Sequence, residues 1–193
     1  MRIVLASDNR GKLREFAAVL APLGHELVAQ TELGIAALAE TGDSFLANAT
    51  AKARHAARVS GLAALADDSG LEVDALGGAP GVRSARYSGG DDAANRALLL
   101  RELHGVPEAQ RGARFRCVLV LARPGAEAAP MVASGLWEGC IAHAERGASG
   151  FGYDPVFLVP ELGRTAAELT PDEKNARSHR GQALRALAAE LPR

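Results

Sequence analysis

The constraint that most narrows the fold is a repeated switch in apolar spacing, from short continuous runs to runs of helical period. Arg2-Ile-Val-Leu-Ala6 is a continuous β-branched and apolar run that stops at Ser7-Asp8-Asn9. From Gly11 to Leu20 the apolar residues Leu13, Phe16, Val19 and Leu20, with Leu23 just beyond, recur at helical spacing. The first pattern predicts a buried strand and the second an amphipathic helix. The switch repeats. A strand is expected near Leu27–Ala29, and a helix from about Phe45 to Val59, started by the small oxygen-bearing residues of Thr41-Gly-Asp-Ser44 and stopped at Gly61. Ala63–Ala66 reads as a strand broken by Asp67-Asp68-Ser69-Gly70, with Leu71–Val73 as a return strand. Ala93–Leu103 reads as a helix, Arg114–Leu121 and Met131–Ile141 as neighbouring strands, and Val156–Val159 as one more. Thr170-Pro-Asp-Glu173 is a capping box with proline at the first helical position, and Gly181–Leu191 is helical. Strands interleaved with helices specify an α/β class with a mixed sheet.

Composition closes off several functional classes. Lys and Arg number 22 against 23 Asp and Glu, a net charge of −1, so the basic footprint of a nucleic-acid-binding protein is missing. No apolar run reaches the roughly 18–20 residues of a membrane span, and the polar turn at Ser7 comes too early for a secretory signal. Cys117 and Cys140 lack partners at zinc-ligand spacing and read as free thiols of a reducing compartment. The expectation is a single domain over residues 1–193, soluble and cytoplasmic, without nucleic-acid or membrane partners.

The chemistry-bearing residues lie in five clusters. Ser7-Asp8-Asn9-Arg10-Gly11-Lys12 joins the first strand to the first helix; exposed N–H groups and the positive end of the helix dipole there can hold a phosphate, or the segment is a solvated cap. Glu40 precedes the long helix, in which Asn48 and Lys52 share one face, either a binding face or a solvated one. Asp67-Asp68-Ser69 follows an apolar strand, where α/β sheets bind ligands, or it forms a turn with an Asx-type hydrogen bond; side chains alternate along a strand, so only one of the two aspartates is expected to face a crevice there. Ser149-Gly-Phe151-Gly152-Tyr153-Asp154 sets an aromatic ring between glycines, a platform for a flat base or a tight turn with a buried Phe. Lys174 and Ser178-His179-Arg180 lie near the start of the last helix. Lys12, Lys52, Lys174 and Arg180 as cations, Glu40 and Asp68 as hard oxygen ligands for Mg²⁺, and Phe151 as a stacking surface together suit a nucleoside triphosphate.

In these clusters the chain resembles the inosine triphosphate pyrophosphatase family. The resemblance runs through Ser7-x-Asn9-x-x-Lys12, Glu40-Thr-Gly-x-Ser44-Phe45-x-x-Asn48-Ala-x-x-Lys52, Ala66-Asp-Asp-Ser-Gly-Leu71, Leu76-Gly-Gly-Ala-Pro-Gly81, Gly150-Phe-Gly-Tyr-Asp-Pro155 and Lys174-x-x-x-Ser178-His-Arg-Gly181. It implies an elongated mixed central sheet flanked by helices, two lobes with a substrate cleft between them, and a homodimer. It implies Mg²⁺-dependent hydrolysis of ITP, dITP and XTP to monophosphate and pyrophosphate. Ser7, Asp8, Asn9, Arg10, Gly11 and Lys12 would hold the triphosphate, assisted by Lys52. Glu40 and Asp68 would bind the metal, and Asp68 would also accept a proton. Ser69 would touch substrate, while Phe151, Gly152, Tyr153, Asp154, Lys174, His179 and Arg180 would form the nucleoside site. Many relatives carry Gly where this chain has Asp8, so the Asp8 carboxylate is expected to point to solvent. Replacing Asp67 is expected to matter less than replacing Asp68.

Overall fold

The computed structural model describes residues 1–125 and 129–191, and of Arg10 the backbone alone. Among these residues seven strands form one sheet: β1 (Arg2–Leu5), β2 (Glu26–Ala29), β3 (Ala63–Val73), β4 (Gly112–Ala122), β5 (Met131–Ile141), β6 (Phe157–Val159) and β7 (Arg164–Thr165). Their order is β2-β1-β3-β4-β5-β6-β7. β1 runs parallel to both β2 and β3, with Val4 opposite Val28 and Ala64, while β6 is antiparallel to β5 and β7. Among the described residues five α-helices accompany the sheet: α1 (Arg10–Leu20), α2 (Phe45–Ser60), α3 (Asp92–Glu102), α4 (Pro171–Arg177) and α5 (His179–Glu190). The expected α/β class with a mixed sheet is what forms.

One expected element differs. β3 does not break at Asp67 but continues unbroken to Val73. Aspartate is ordinarily depleted in strands, yet here each of the two carboxylates meets buried partners on its own side of the strand, so the strand carries both. Leu71–Val73 is therefore the same strand and not a return. β6 forms within the expected Val156–Val159 strand, while β7, two residues long, is too short for an alternation pattern to register.

The chain divides into two compact units. The first comprises residues 1–68, 117–135 and 180–193. One of its apolar clusters packs Phe16 and Leu20 of α1 with Ile3, Leu5, Leu65, Leu119, Leu184 and Leu187. Its second is built on small side chains: Ala49, Ala53, Ala56 and Ala57 of α2 with Val4, Ala6, Ala64, Ala66 and Val120. Alanine on the contact face lets α2 lie close to the strands, which places its polar positions Asn48 and Lys52 beside the end of that strand segment. Ser44 caps α2 by accepting from Ala47 N–H at 3.2 Å, and Gly61 closes it in the left-handed conformation at φ +69°, where a Cβ would be strained.

The second unit comprises residues 69–116 and 136–179. Its core gathers Leu71, Leu99, Leu103, Phe115, Trp137, Tyr153 and Phe157. The rings of Phe115 and Phe157 sit with centroids 4.5 Å apart, and the Tyr153 hydroxyl donates to the Ser84 carbonyl at 2.8 Å.

Candidate active site

In the first unit, the residues singled out around Asp67 and Asp68 form two buried ionic groups. Alternation along β3 sends the two side chains to opposite faces. Asp68 meets α2: Asn48 Nδ2 donates to its Oδ2 at 3.0 Å and Lys52 Nζ to its Oδ1 at 3.2 Å. Lys52 Nζ also donates to Glu40 Oε1 at 2.7 Å and to the Asp67 carbonyl at 2.7 Å. One ammonium thus joins two carboxylates that lie 28 residues apart in the chain (Glu40 to Asp68). Asn48 is itself fixed by the preceding loop, its Oδ1 accepting from Gly42 N–H at 2.8 Å. A Cβ at position 42 would come within 2.6 Å of that oxygen, so glycine there keeps Asn48 aimed at Asp68.

The electrostatics follow from burial. Asp68 is pushed up to about 6, chiefly because burial disfavours its charge, with the Glu40 carboxylate adding to the rise and Lys52 and Asn48 opposing it. For Lys52, burial works against the ammonium, but Asp68 and Glu40 outweigh it and hold its pKa above the ordinary lysine value. The result is a carboxyl more basic than usual beside a firmly charged lysine.

Asp67 takes the other side. Arg180 Nε donates to its Oδ2 at 2.7 Å, Lys12 Nζ lies 3.5 Å from the same oxygen, and Arg180 Nη1 donates to Glu15 Oε2 at 2.6 Å. Burial disfavours the Arg180 charge, and the two carboxylates overcome that and raise its pKa. Asp67 is 1% exposed. Its loss would leave a buried guanidinium with one carboxylate fewer. Glu15 is the member of this group that sequence reading passed over; at a polar helix position it looks like ordinary solvated surface, and only its spacing from Lys12 marks the shared face.

The segment before α1 is capped by its own side chains. Asn9 Oδ1 accepts from the N–H groups of Gly11 at 2.8 Å and Lys12 at 3.1 Å, and Asn9 N–H donates to Ser7 Oγ at 3.2 Å. Asp8 is exposed as expected, with Oδ1 accepting from Gln30 Nε2 at 2.8 Å. The Arg10 side chain lies outside the described residues.

The second unit holds the aromatic cluster. Lys174 Nζ donates to Asp154 Oδ2 at 2.6 Å and stands 4.8 Å from the centroid of the Phe151 ring. The same Asp154 oxygen accepts from Phe151 N–H at 2.9 Å. Gly150 has φ +79°, and a Cβ there would overlap the Asp154 carboxylate, so the turn is closed to larger residues. Gly152 is half-buried at φ +60°, Tyr153 is buried, and Ser69 is half-buried on β3. His179 stacks on Phe115, centroids 4.7 Å apart and planes 13° off parallel. Lys174 is delivered by α4, which Thr170 and Glu173 start with the expected capping box. Within this unit the structure brings together Phe151, Asp154 and Lys174. Among the described residues no three or more His, Cys, Asp or Glu side chains gather as a metal-holding group, and no helix is long and apolar enough to cross a membrane.

The family model described as the Ham1 family matches residues 3–190. The dITP/XTP pyrophosphatase of Pectobacterium atrosepticum is 57% identical over 192 residues, covering 98% of this chain and 98% of its own, and that of Escherichia coli (strain K12) is 55% identical over the same shares. Among solved structures, a HAM1 protein from Coxiella burnetii superposes with a TM-score of 0.90 at 49% identity, over 98% of this chain and 97% of that one. A nucleoside-triphosphatase, or dITP/XTP pyrophosphatase, from Mycobacterium abscessus gives 0.77 at 51% identity, over 100% and 98%. With its fold and nearly its whole length matched in this way, the chain belongs to the Ham1 family.

Proposed function

We propose that this chain hydrolyses non-standard purine nucleoside triphosphates, ITP, dITP and XTP, between the α- and β-phosphates, releasing the monophosphate and pyrophosphate. The observation that carries the reading is the Glu40–Lys52–Asp68–Asn48 group, a buried carboxylate of raised pKa held beside a charged lysine, in a chain whose relatives bear the name dITP/XTP pyrophosphatase.

The donor set suits Mg²⁺. Glu40 and Asp68 offer hard oxygens already bridged by one cation, Lys52 Nζ, at 2.7 and 3.2 Å. Two carboxylates are also what such an ion takes from a protein when water and substrate phosphates supply its remaining ligands. When bound there, Mg²⁺ supplies charge neutralisation on the phosphate oxygens. The protein's own residues account for the rest. Water attacks the α-phosphorus in line, its proton passes to an Asp68 oxygen, and the bond to the bridging oxygen breaks as pyrophosphate leaves. A carboxyl titrating near 6 is ionised at neutral pH yet more basic than an ordinary aspartate, as a general base should be. Lys52 and Lys12 offset the charge that develops on the leaving oxygens.

In the second unit, Phe151 offers a face for the base. Hypoxanthine and xanthine carry an O6 acceptor where adenine carries a donor, so a site presenting a donor at that edge selects the keto purines. ITP and XTP are then expected to exceed ATP in kcat/KM; guanine shares the O6 acceptor, so a lower kcat/KM for GTP, also expected, has to come from its 2-amino group. The test is product identity. Incubation with ITP and Mg²⁺ is expected to yield inosine monophosphate and pyrophosphate in equal amounts. Orthophosphate with inosine diphosphate would mean attack at the γ-phosphate, and tight binding with no product would mean a nucleotide sensor instead.

A further inference from the structure

We infer that Asp92 and Arg96 are positioning residues for the nucleoside base, gripping Gly152 from both ends and so fixing the ring of Phe151. The inference rests on the reading of Phe151 as the surface that receives the base. Both residues belong to α3 and stand four apart, on one helix face. Asp92 Oδ2 accepts from Gly152 N–H at 2.8 Å, and Arg96 Nη1 donates to the Gly152 carbonyl at 2.9 Å. Because peptide groups are planar, the first bond fixes the plane that follows Phe151 and the second fixes the plane that precedes Tyr153. The plane before Phe151 is held by its N–H bond to Asp154. The backbone before the aromatic residue is thereby held within the loop by Asp154, and the backbone after it is held from outside the loop by α3.

Neither contact serves α3 itself. The helix is capped by Asp91, whose Oδ1 accepts from Ala94 N–H at 2.9 Å, which leaves the Asp92 carboxylate for the loop. Arg96 Nε lies 3.0 Å from Glu145 Oε1 as an ion pair without a hydrogen bond, and its side chain is 15% exposed. α3 is a firm mount, anchored in the core of the second unit by the fully buried Leu99 and by Asn95, whose amide oxygen accepts from Ser88 N–H at 2.8 Å. The need for such a grip is local. Gly150 and Gly152 flank Phe151 at φ +79° and +60°, and a loop with glycine on both sides has the greatest freedom to lose. A ring held in place beforehand spares the base the cost of ordering it on binding.

The test compares the wild type with Arg96→Met, Arg96→Lys and Asp92→Ala. It measures the Kd for inosine 5′-monophosphate by calorimetry, kcat and KM with ITP, and inhibition by inorganic tripolyphosphate, which has no base. Arg96→Met and Asp92→Ala are each expected to weaken monophosphate binding and raise KM by about tenfold or more. Their kcat is expected to stay within about twofold and tripolyphosphate inhibition to be unchanged, with Arg96→Lys intermediate. An unchanged Kd in both Arg96→Met and Asp92→Ala would overturn the inference. So would a parallel loss of kcat and tripolyphosphate affinity, which would mark the pair as general scaffolding. Should the wild type bind the monophosphate yet release no pyrophosphate from ITP, the proposed function falls while the clamp is still judged on Kd. Should the wild type release pyrophosphate from ITP yet not bind the monophosphate, the proposed function stands and the clamp is judged on KM, an unchanged KM in both Arg96→Met and Asp92→Ala overturning it.

Discussion

Asp67 and Asp68 are adjacent, both buried and both acidic, and their environments assign them opposite kinds of work. Asp68 rests on an amide and a lysine that it shares with Glu40, whereas Asp67 is tied to the buried guanidinium of Arg180. Asp68→Asn is expected to lose about 10²–10⁴-fold in kcat on ITP with no loss of thermal stability, because burial already disfavours the Asp68 charge that the substitution removes. Asp67→Asn is expected to appear first in melting, since removing one partner of a buried pair costs about 3–5 kcal/mol. The sign of the pH effect on Asp68 follows from linkage. Its folded pKa, about 6, lies above its ordinary value of 3.8, so the stability it lends is complete below that value and is lost as pH rises through 6. In metal-free protein, Asp68→Asn and wild type should therefore melt alike near pH 3.5, with the variant gaining relative to wild type between pH 4 and 7. Melting curves across that range check it; a variant that falls behind the wild type as pH rises would contradict the assigned environment.

At the scale of single elements, α4 depends on its first turn. Thr170 Oγ1 accepts from Glu173 N–H at 3.2 Å, Thr170 N–H donates to Glu173 Oε2 at 2.8 Å, and Arg164 Nη2 donates to Glu173 Oε1 at 2.7 Å. Thr170→Ala is expected to cost about 1 kcal/mol, read by denaturant titration, and to loosen the delivery of Lys174. The Arg164 and Thr170 bonds pull Glu173 down to about 2 from the usual 4.5, so this contribution is present above pH 4.5 and fades as pH falls toward 2. The capping box and proline make this helix start legible from sequence, as periodicity does α1 and Gly61 the end of α2. What could not be read was set by tertiary partners. The strand through Asp67–Gly70 exists because Lys52, Asn48, Lys12 and Arg180 arrive from elsewhere in the chain to satisfy its carboxylates, and no local pattern encodes those arrivals. The same holds for Asp92 and Arg96, whose loop partner lies 56–60 positions away, and for Glu15, 165 positions from Arg180.

Over the whole molecule, each compact unit has its own apolar cluster, and each can be probed separately. Phe16 of the first unit and Phe157 of the second are fully buried. Truncating either to alanine is expected to cost about 3–5 kcal/mol. For a chain of this length that corresponds to a drop on the order of 10 °C in Tm, seen by calorimetry; a change under about 2 °C in either variant would mean that its ring is not packed as described. The α/β class was legible because the alternation of strand and helix periods survives along the whole chain, and the site residues were legible as types because charged and aromatic residues cluster at element ends. Their pairing within each unit was not, since it follows from which strands and helices the fold places side by side.

The central claim is attack of water on the α-phosphorus with Asp68 as proton acceptor, and isotope placement tests it most directly. With ITP hydrolysed in ¹⁸O-labelled water, one label per turnover is expected in inosine monophosphate and none in pyrophosphate, with both products suppressed together in Asp68→Asn. Label in pyrophosphate would show attack at the β-phosphorus, and undiminished turnover by Asp68→Asn would take the proton-accepting role from that carboxylate.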